Sequence, residues 1–179
     1  MRRVVIILLP IILFTGCKKQ GNMGISNFKA EKVSRTATFV VNGTINEVYP
    51  LFGAFEERKW EPTWNPVLIY PSEEVIEEGT TFKTAGRGDE PEFLWRVSKY
   101  EESLYLIQYL VSTSNRYWTI TVKCNRDDND VNKTKATVTY TYIGLSEKGN
   151  ELNKVDIQNM YKYNLNDWAD AINEYLENR

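Results

Sequence analysis

The chain has 179 residues, of which 42% are hydrophobic and 26% charged, the balance of a globular protein rather than a disordered or fibrous one. Its net charge is −2, and loss of Arg2 and Arg3 with residues 1–16 takes this to −4, with no basic block to suit nucleic acid. Histidine is absent, which removes the Ser-His-Asp triad, the Cys-His pair and every His metal site.

The chain opens MRRVVIILLPIILFTGC. Two arginines precede an apolar run from Val4 to Phe14, too short for a spanning helix, which needs roughly 20 apolar residues. The layout is that of a secretory signal. Phe14-Thr15-Gly16-Cys17 then resembles a bacterial lipobox, with Phe where Leu is usual. The resemblance implies cleavage after Gly16, lipid on Cys17, and an exported protein held on a membrane surface without a transmembrane helix. Lys18 after the lipidated cysteine resembles outer-membrane sorting if the cell is Gram-negative. Cys124 is then left without a disulfide partner and reads as a small buried residue in a strand.

Residues 17–34 show no sustained period and are expected to form a tether reaching roughly 20–25 Å. Residues 35–179 make one domain, large enough for a real core. Arg35 to Asn42 is rich in β-branched residues and predicts a strand. Thr44-Ile45-Asn46-Glu47 fits a capping box and opens a short helix over 45–52, which Pro50 keeps short. A second helical turn is expected over 54–59.

Trp60-Glu61-Pro62-Thr63-Trp64-Asn65-Pro66 follows: two indoles in a proline-stiffened loop. Trp60 is expected to plug the core. Trp64 is balanced between plug and cavity rim.

Strands are then predicted over 67–70, 79–85, 92–100, 104–112, 116–124 and 134–143. Trp118, Ile120, Val122 and Cys124 alternate with polar residues, and so do Ala136, Val138, Tyr140 and Tyr142. Period-two alternation marks an antiparallel sheet with one wet face. Leu104 to Ser112 is apolar on both faces, so its inward side stays open. The chain closes on a predicted amphipathic helix over 155–177, with Ile157, Met160, Tyr161, Leu165, Trp168, Ala169, Ile172, Tyr175 and Leu176 in one stripe. The sheet is its only available partner. The sum is an α+β arrangement of six to seven strands wrapped around a long C-terminal helix, with two short helices after the first strand.

That order resembles the helix-grip fold of the START-like, or SRPBCC, superfamily, which includes polyketide cyclase-like proteins and plant allergen-type carriers. The resemblance rests on Gly43-Thr44-Ile45-Asn46-Glu47-Val48-Tyr49, on Trp60-x-x-x-Trp64-Asn65-Pro66 with Gly79-Thr80-x-Phe82, and on Leu145-Ser146-x-x-Gly149-Asn150 with Trp168-x-x-Ala171-Ile172-Asn173-x-Tyr175-Leu176. It spans about residues 35–178. It implies a cavity between sheet and terminal helix that holds a hydrophobic or aromatic small molecule or a lipid.

Trp60, Trp64, Phe82, Trp95, Trp118, Tyr140, Tyr142, Tyr161 and Trp168 are the candidate cavity residues. Buried Tyr and Trp need partners for their polar tips, and several converging on one space suit a small-molecule site. A cyclase-like enzyme using the same cavity is the alternative, and an interaction protein with a filled core is a second. No inward carboxylate stands out. The doublets Glu56-Glu57, Glu73-Glu74 and Glu77-Glu78 read as solvated surface, because adjacent side chains diverge. Arg96 and Gln108 are the polar candidates, with Arg96 expected outward. Asp128-x-Asp130-x-Asn132 begins like a calcium loop but has Lys133 where Gly belongs and Thr139 where Glu belongs. Arg87-Gly88-Asp89 is read as a chance tripeptide. No metal, no cofactor and no nucleic acid is expected, and the protein is expected to be a monomer.

Overall fold

The computed structural model describes residues 27–179. The signal segment, Cys17 and the start of the tether lie outside the described residues. β1 runs Lys32–Val41 and buries Ala37, Phe39 and Val41 on alternate positions. The Glu47 carboxylate then turns back on Thr44, accepting from its backbone N–H at 3.0 Å and its hydroxyl at 2.8 Å, and α1 (Ile45–Val48) opens there. The expected helix over 45–52 tightens halfway. Pro50 cannot donate to an α-helical ladder, so Tyr49–Phe52 continues as a 3-10 turn. A second 3-10 turn covers Glu56–Lys59.

Six strands follow: β2 (Val67–Tyr70), β3 (Thr81–Arg87), β4 (Glu90–Glu101), β5 (Leu106–Ser112), β6 (Arg116–Arg126) and β7 (Thr134–Gly144). The sheet is wholly antiparallel in the order β1-β7-β6-β5-β4-β3-β2. Its outer face carries hydroxyl pairs across β1 and β7, Thr36 with Thr139 at 2.8 Å and Thr38 with Thr137 at 3.0 Å. Such cross-strand pairs stabilise a wet face. Its inner face carries the alternating apolar residues read from β6 and β7. β5, ambiguous in sequence, turns Ile107, Tyr109 and Val111 inward. Gln108 lies on the other face, where it donates to Thr121 and accepts from Ser98. Gly86 in β3 is forced: a Cβ there would sit 1.7 Å from the Glu90 carbonyl oxygen.

The expected single helix over 155–177 is two. α2 (Glu147–Met160) starts at a Ser146 cap that accepts from Gly149 N–H at 3.0 Å, and α3 (Asn166–Glu177) follows. Between them Asn164 and Leu165 adopt left-handed backbone, φ 52° and 60°. Asn tolerates that region. Leu does not favour it, but its side chain is fully buried, which offsets the cost. The stripe from Ile157 to Leu176 still faces the sheet across the break, with Tyr161, Leu165, Ala169 and Ile172 buried. Periodicity alone could not see a break that keeps the stripe in phase.

Candidate functional site

The WEPTWNP loop crosses one end of the sheet. Trp60 is buried, donates its indole N–H to the Leu51 carbonyl at 2.7 Å, and packs on Trp168 at 5.4 Å between ring centres. Trp64 is half-buried and donates to the Ala54 carbonyl at 2.5 Å. Its ring meets Trp95 edge-on at 5.2 Å. Both indoles therefore satisfy their polar tips on backbone and keep their apolar faces for packing.

Beneath Trp64 lies a cavity of about 550 Å³. The loop closes one side, β3, β4, β6 and β7 form the wall, and Asp156, Met160 and Trp168 of the helical arm form the roof. Of the candidate residues, Trp64, Trp95, Trp118, Tyr140, Tyr142 and Trp168 border it. Phe82 borders a small inner extension of about 30 Å³, beside Tyr109, Ile120 and Val122. Trp60 and Tyr161 border neither space. The Tyr161 hydroxyl instead sits on the β1–β7 ladder, 2.7 Å from the Arg35 carbonyl and 3.0 Å from that of Val138, and accepts from Tyr140 N–H. It pins the start of the helix break to the sheet. Arg96 and Gln108 lie on the outer face.

One reading of the acidic doublets is corrected here. Glu57 is not solvated surface. The 3-10 turn places successive side chains about 120° apart. Glu56 therefore pairs outward with Lys59, Arg58 forks onto Glu74 at 2.8 and 2.9 Å, and Glu57 is left pointing inward. It borders both the main cavity and the inner extension, so what stays accessible opens into the cavity. No side chain or backbone group donates to its carboxylate among the described residues. Burial, and then the neighbouring Glu61 charge, push its carboxyl up to about 8. Tyr140 and Tyr142 border the same space, their hydroxyls also without partners among the described residues, and burial pushes both phenols above their ordinary value.

Other charges stand around the rim. Glu61 is held by Thr63, whose N–H and hydroxyl donate at 3.0 and 2.6 Å. Arg87, at the β3–β4 hairpin, borders the mouth, is exposed, and has no ion-pair partner among the described residues. Arg116 is fully buried against Glu90, with Nη2 2.5 Å and Nε 3.0 Å from the carboxylate, and reaches Asp156 at 2.8 Å. Its guanidinium lies 5.1 Å over the Trp118 ring, so this ion-pair network backs the cavity wall. Sequence reasoning passed over Arg116, Glu90 and Asp156. The one signal was an Arg in phase with the apolar residues of β6. The Asp127-Asp130 loop spends its carboxylates locally: Asp127 and Asp130 accept from Asn129 and Asn132 N–H, and Asp128 pairs with Lys135.

No family model and no curated protein sequence matches the chain. Solved structures do. Norcoclaurine synthase from Thalictrum flavum, in complex with dopamine and hydroxybenzaldehyde, aligns at TM-score 0.60 and 12% identity over 84% of this chain and 89% of its own. A second structure of that enzyme covers 94% of this chain and 98% of its own at TM-score 0.58 and 13% identity. Ara h 8.0201 aligns at TM-score 0.57 and 14% identity over 83% and 100%. The chain has the helix-grip fold: a curved seven-stranded antiparallel sheet, short helices after the first strand and a C-terminal helical arm. At these identities the likeness carries the fold, and the site must speak for the function.

Proposed function

We propose that this helix-grip domain binds a hydrophobic or aromatic small molecule in the cavity between sheet and helical arm. The observation that carries the reading is the cavity itself: about 550 Å³, walled by Trp64, Trp95, Trp118 and Trp168, with Glu57, Tyr140 and Tyr142 offering polar groups unpaired among the described residues. An apolar chamber with a few convergent polar groups is what a small-molecule site requires. The volume argues against an interior filled by its own side chains. Norcoclaurine synthase, similar in fold, holds two aromatic molecules in the structure to which this chain aligns.

We further propose that the domain is carried on an exported lipoprotein anchored through Cys17. The lipobox supports this, and so does the position of residues 29–31 on the domain. Lys29 and Glu31, where the described chain begins, bond to Asn150 in the first turn of α2. Lys148 in that turn pairs with Asp89 of the β3–β4 hairpin, beside Arg87 at the cavity mouth. Residues 29–31 thus stand at the mouth end, which suits an anchored domain whose ligand passes to or from a membrane.

A specific observation favours a second reading, a cyclase-like enzyme. A carboxyl at about 8 can exchange protons near neutrality, and Tyr140 borders the same space.

Native mass spectrometry of protein purified from its own host tests the first reading. A stoichiometric apolar or aromatic compound, lost in Trp95→Ala, is the expected result. An empty protein that retains no compound from a total lipid and metabolite extract refutes it. Cys17→Ser should move the protein from membranes to the soluble fraction of the envelope; membrane retention of that variant refutes the anchor.

A further inference from the structure

Glu57, Trp64, Trp95, Tyr140 and Trp168 border both the main cavity and its inner extension. They therefore surround the junction between the two. Among these five the ionisable groups are Glu57 and Tyr140, both acids and neither a base. Glu57 has no donor among the described residues, and Glu61, which accepts from the Thr63 N–H and hydroxyl, stands beside it. Asp156 is already answered by Arg116. Arg87 borders the outer cavity but not the inner extension, so among the described residues no cation lines the junction, and Arg87 acts on it only from the mouth, through Tyr140. The other members of the ring are three indoles and a phenol, whose faces carry negative quadrupolar charge and attract cations.

We propose that the occupant of this cavity is an organic cation, a protonated or quaternary amine on an apolar body, with its charge seated at the junction beside the Glu57 carboxylate and among the indoles of Trp64, Trp95 and Trp168. The proposal rests on the ligand-binding reading above and names the ligand class. An anion there would meet Glu57 and Glu61 without a compensating cation. A neutral ligand would leave Glu57 as a protonated donor and use none of the ring electrostatics. A cation with an apolar body answers both the unpaired carboxylate and the indole faces, and its body fills the chamber toward Trp118 and Tyr142.

The proposal carries a proton signature. The titratable groups facing Glu57 are Glu61 from its own loop, Tyr109 from β5 and Tyr140 from β7. Burial pushes both phenols well above their ordinary value, so the exchange of a proton near neutrality falls to Glu57. A cation entering at pH 6.5 must displace the Glu57 proton.

The test uses the purified mature chain, from Cys17 on, and three probes: benzyltrimethylammonium, its uncharged isostere neopentylbenzene, and phenylacetate. Affinities are read by equilibrium dialysis, and proton release by calorimetry at pH 6.5 in two buffers of different ionisation enthalpy. The cation should bind about tenfold or more tighter than the isostere, with phenylacetate weakest, and should release a proton. Glu57→Gln should remove most of that preference and all of the proton release. It should leave neopentylbenzene within about twofold, which also shows the junction to be intact in the variant. Equal binding of cation and isostere, or tightest binding by phenylacetate, overturns the cation proposal while leaving the ligand-binding reading in place. A cation preference that survives Glu57→Gln overturns the assignment of its seat. If none of the probes binds, the cation proposal falls, and the retention experiment on the total extract decides the ligand-binding reading by itself.

Discussion

Glu57→Gln gives the most direct physical check on the cavity, because it needs no ligand. The side chains are nearly isosteric, so the change removes a titration and little packing. In the folded chain the carboxyl titrates at about 8, against 4.5 as its ordinary value. A carboxyl raised in the native state contributes stability that is fully present below pH 4.5 and is lost as pH rises through 8. Over that window the unfolded chain gives up its proton while the native chain holds it. Each unit of separation is worth about 1.36 kcal/mol. Between pH 5 and 8.5 the wild-type chain should therefore lose about 3–4 kcal/mol more than Glu57→Gln, an upper bound because cavity water hydrates the carboxylate. Urea unfolding of both chains at pH 5, 6, 7, 8 and 8.5 reads this as diverging free energies, flattening above 8. Parallel curves, separated by under about 0.5 kcal/mol across the range, would show that Glu57 is solvated in the native state. The argument for an unpaired carboxyl in the cavity would then fail.

The two indoles of the WEPTWNP loop should separate by their burial. Trp60→Ala removes a fully packed ring and its bond to Leu51, at a cost of about 3–5 kcal/mol in urea unfolding. Trp64→Ala removes a half-buried wall and should cost about 1–2 kcal/mol while abolishing retention of the bound compound. Arg116→Met strands the Glu90 carboxylate in the interior and should cost about 3–5 kcal/mol, most of which the double change with Glu90→Met recovers. A double variant as unstable as the single one would contradict the account of the buried pair. Tyr161→Phe leaves the Arg35 and Val138 carbonyls short of a donor and should cost about 1–2 kcal/mol, with faster amide exchange in the 161–165 break.

The fold was legible because its sheet has one wet face. Thr137, Thr139 and Thr141 alternate with Val138, Tyr140 and Tyr142, and that alternation states both the strand and the side it buries. The same logic found the inner faces of β4 and β6. It failed on β5, where Leu106 and Leu110 lie on the outer face, partly covered, and give no contrast with Ile107 and Tyr109. The helical arm was legible in what it buries and not in how the backbone runs. A stripe records which side chains face inward. It does not record the two left-handed residues that reset the axis between Tyr161 and Leu165.

The site was legible in its aromatics and hidden in its charges, for a reason that also explains its chemistry. A hydrophobic residue announces its burial by type, because leaving it in water costs free energy. A carboxylate announces exposure by the same rule, so a buried one is misread unless its partner is visible. Glu90 has such a partner, Arg116, but they stand 26 positions apart and meet only across β4, β5 and β6. Glu57 has none. It is turned inward by the short 3-10 turn that sends Glu56, Arg58 and Lys59 to outward partners. Nothing in the fold of the loop requires an acid at that position. A Leu would fill a similar volume without desolvating a polar group, and a Gln would do so without desolvating a charge. A carboxyl that weakens the folded state above neutral pH, and that no group among the described residues satisfies, is what the proposed ligand site would need.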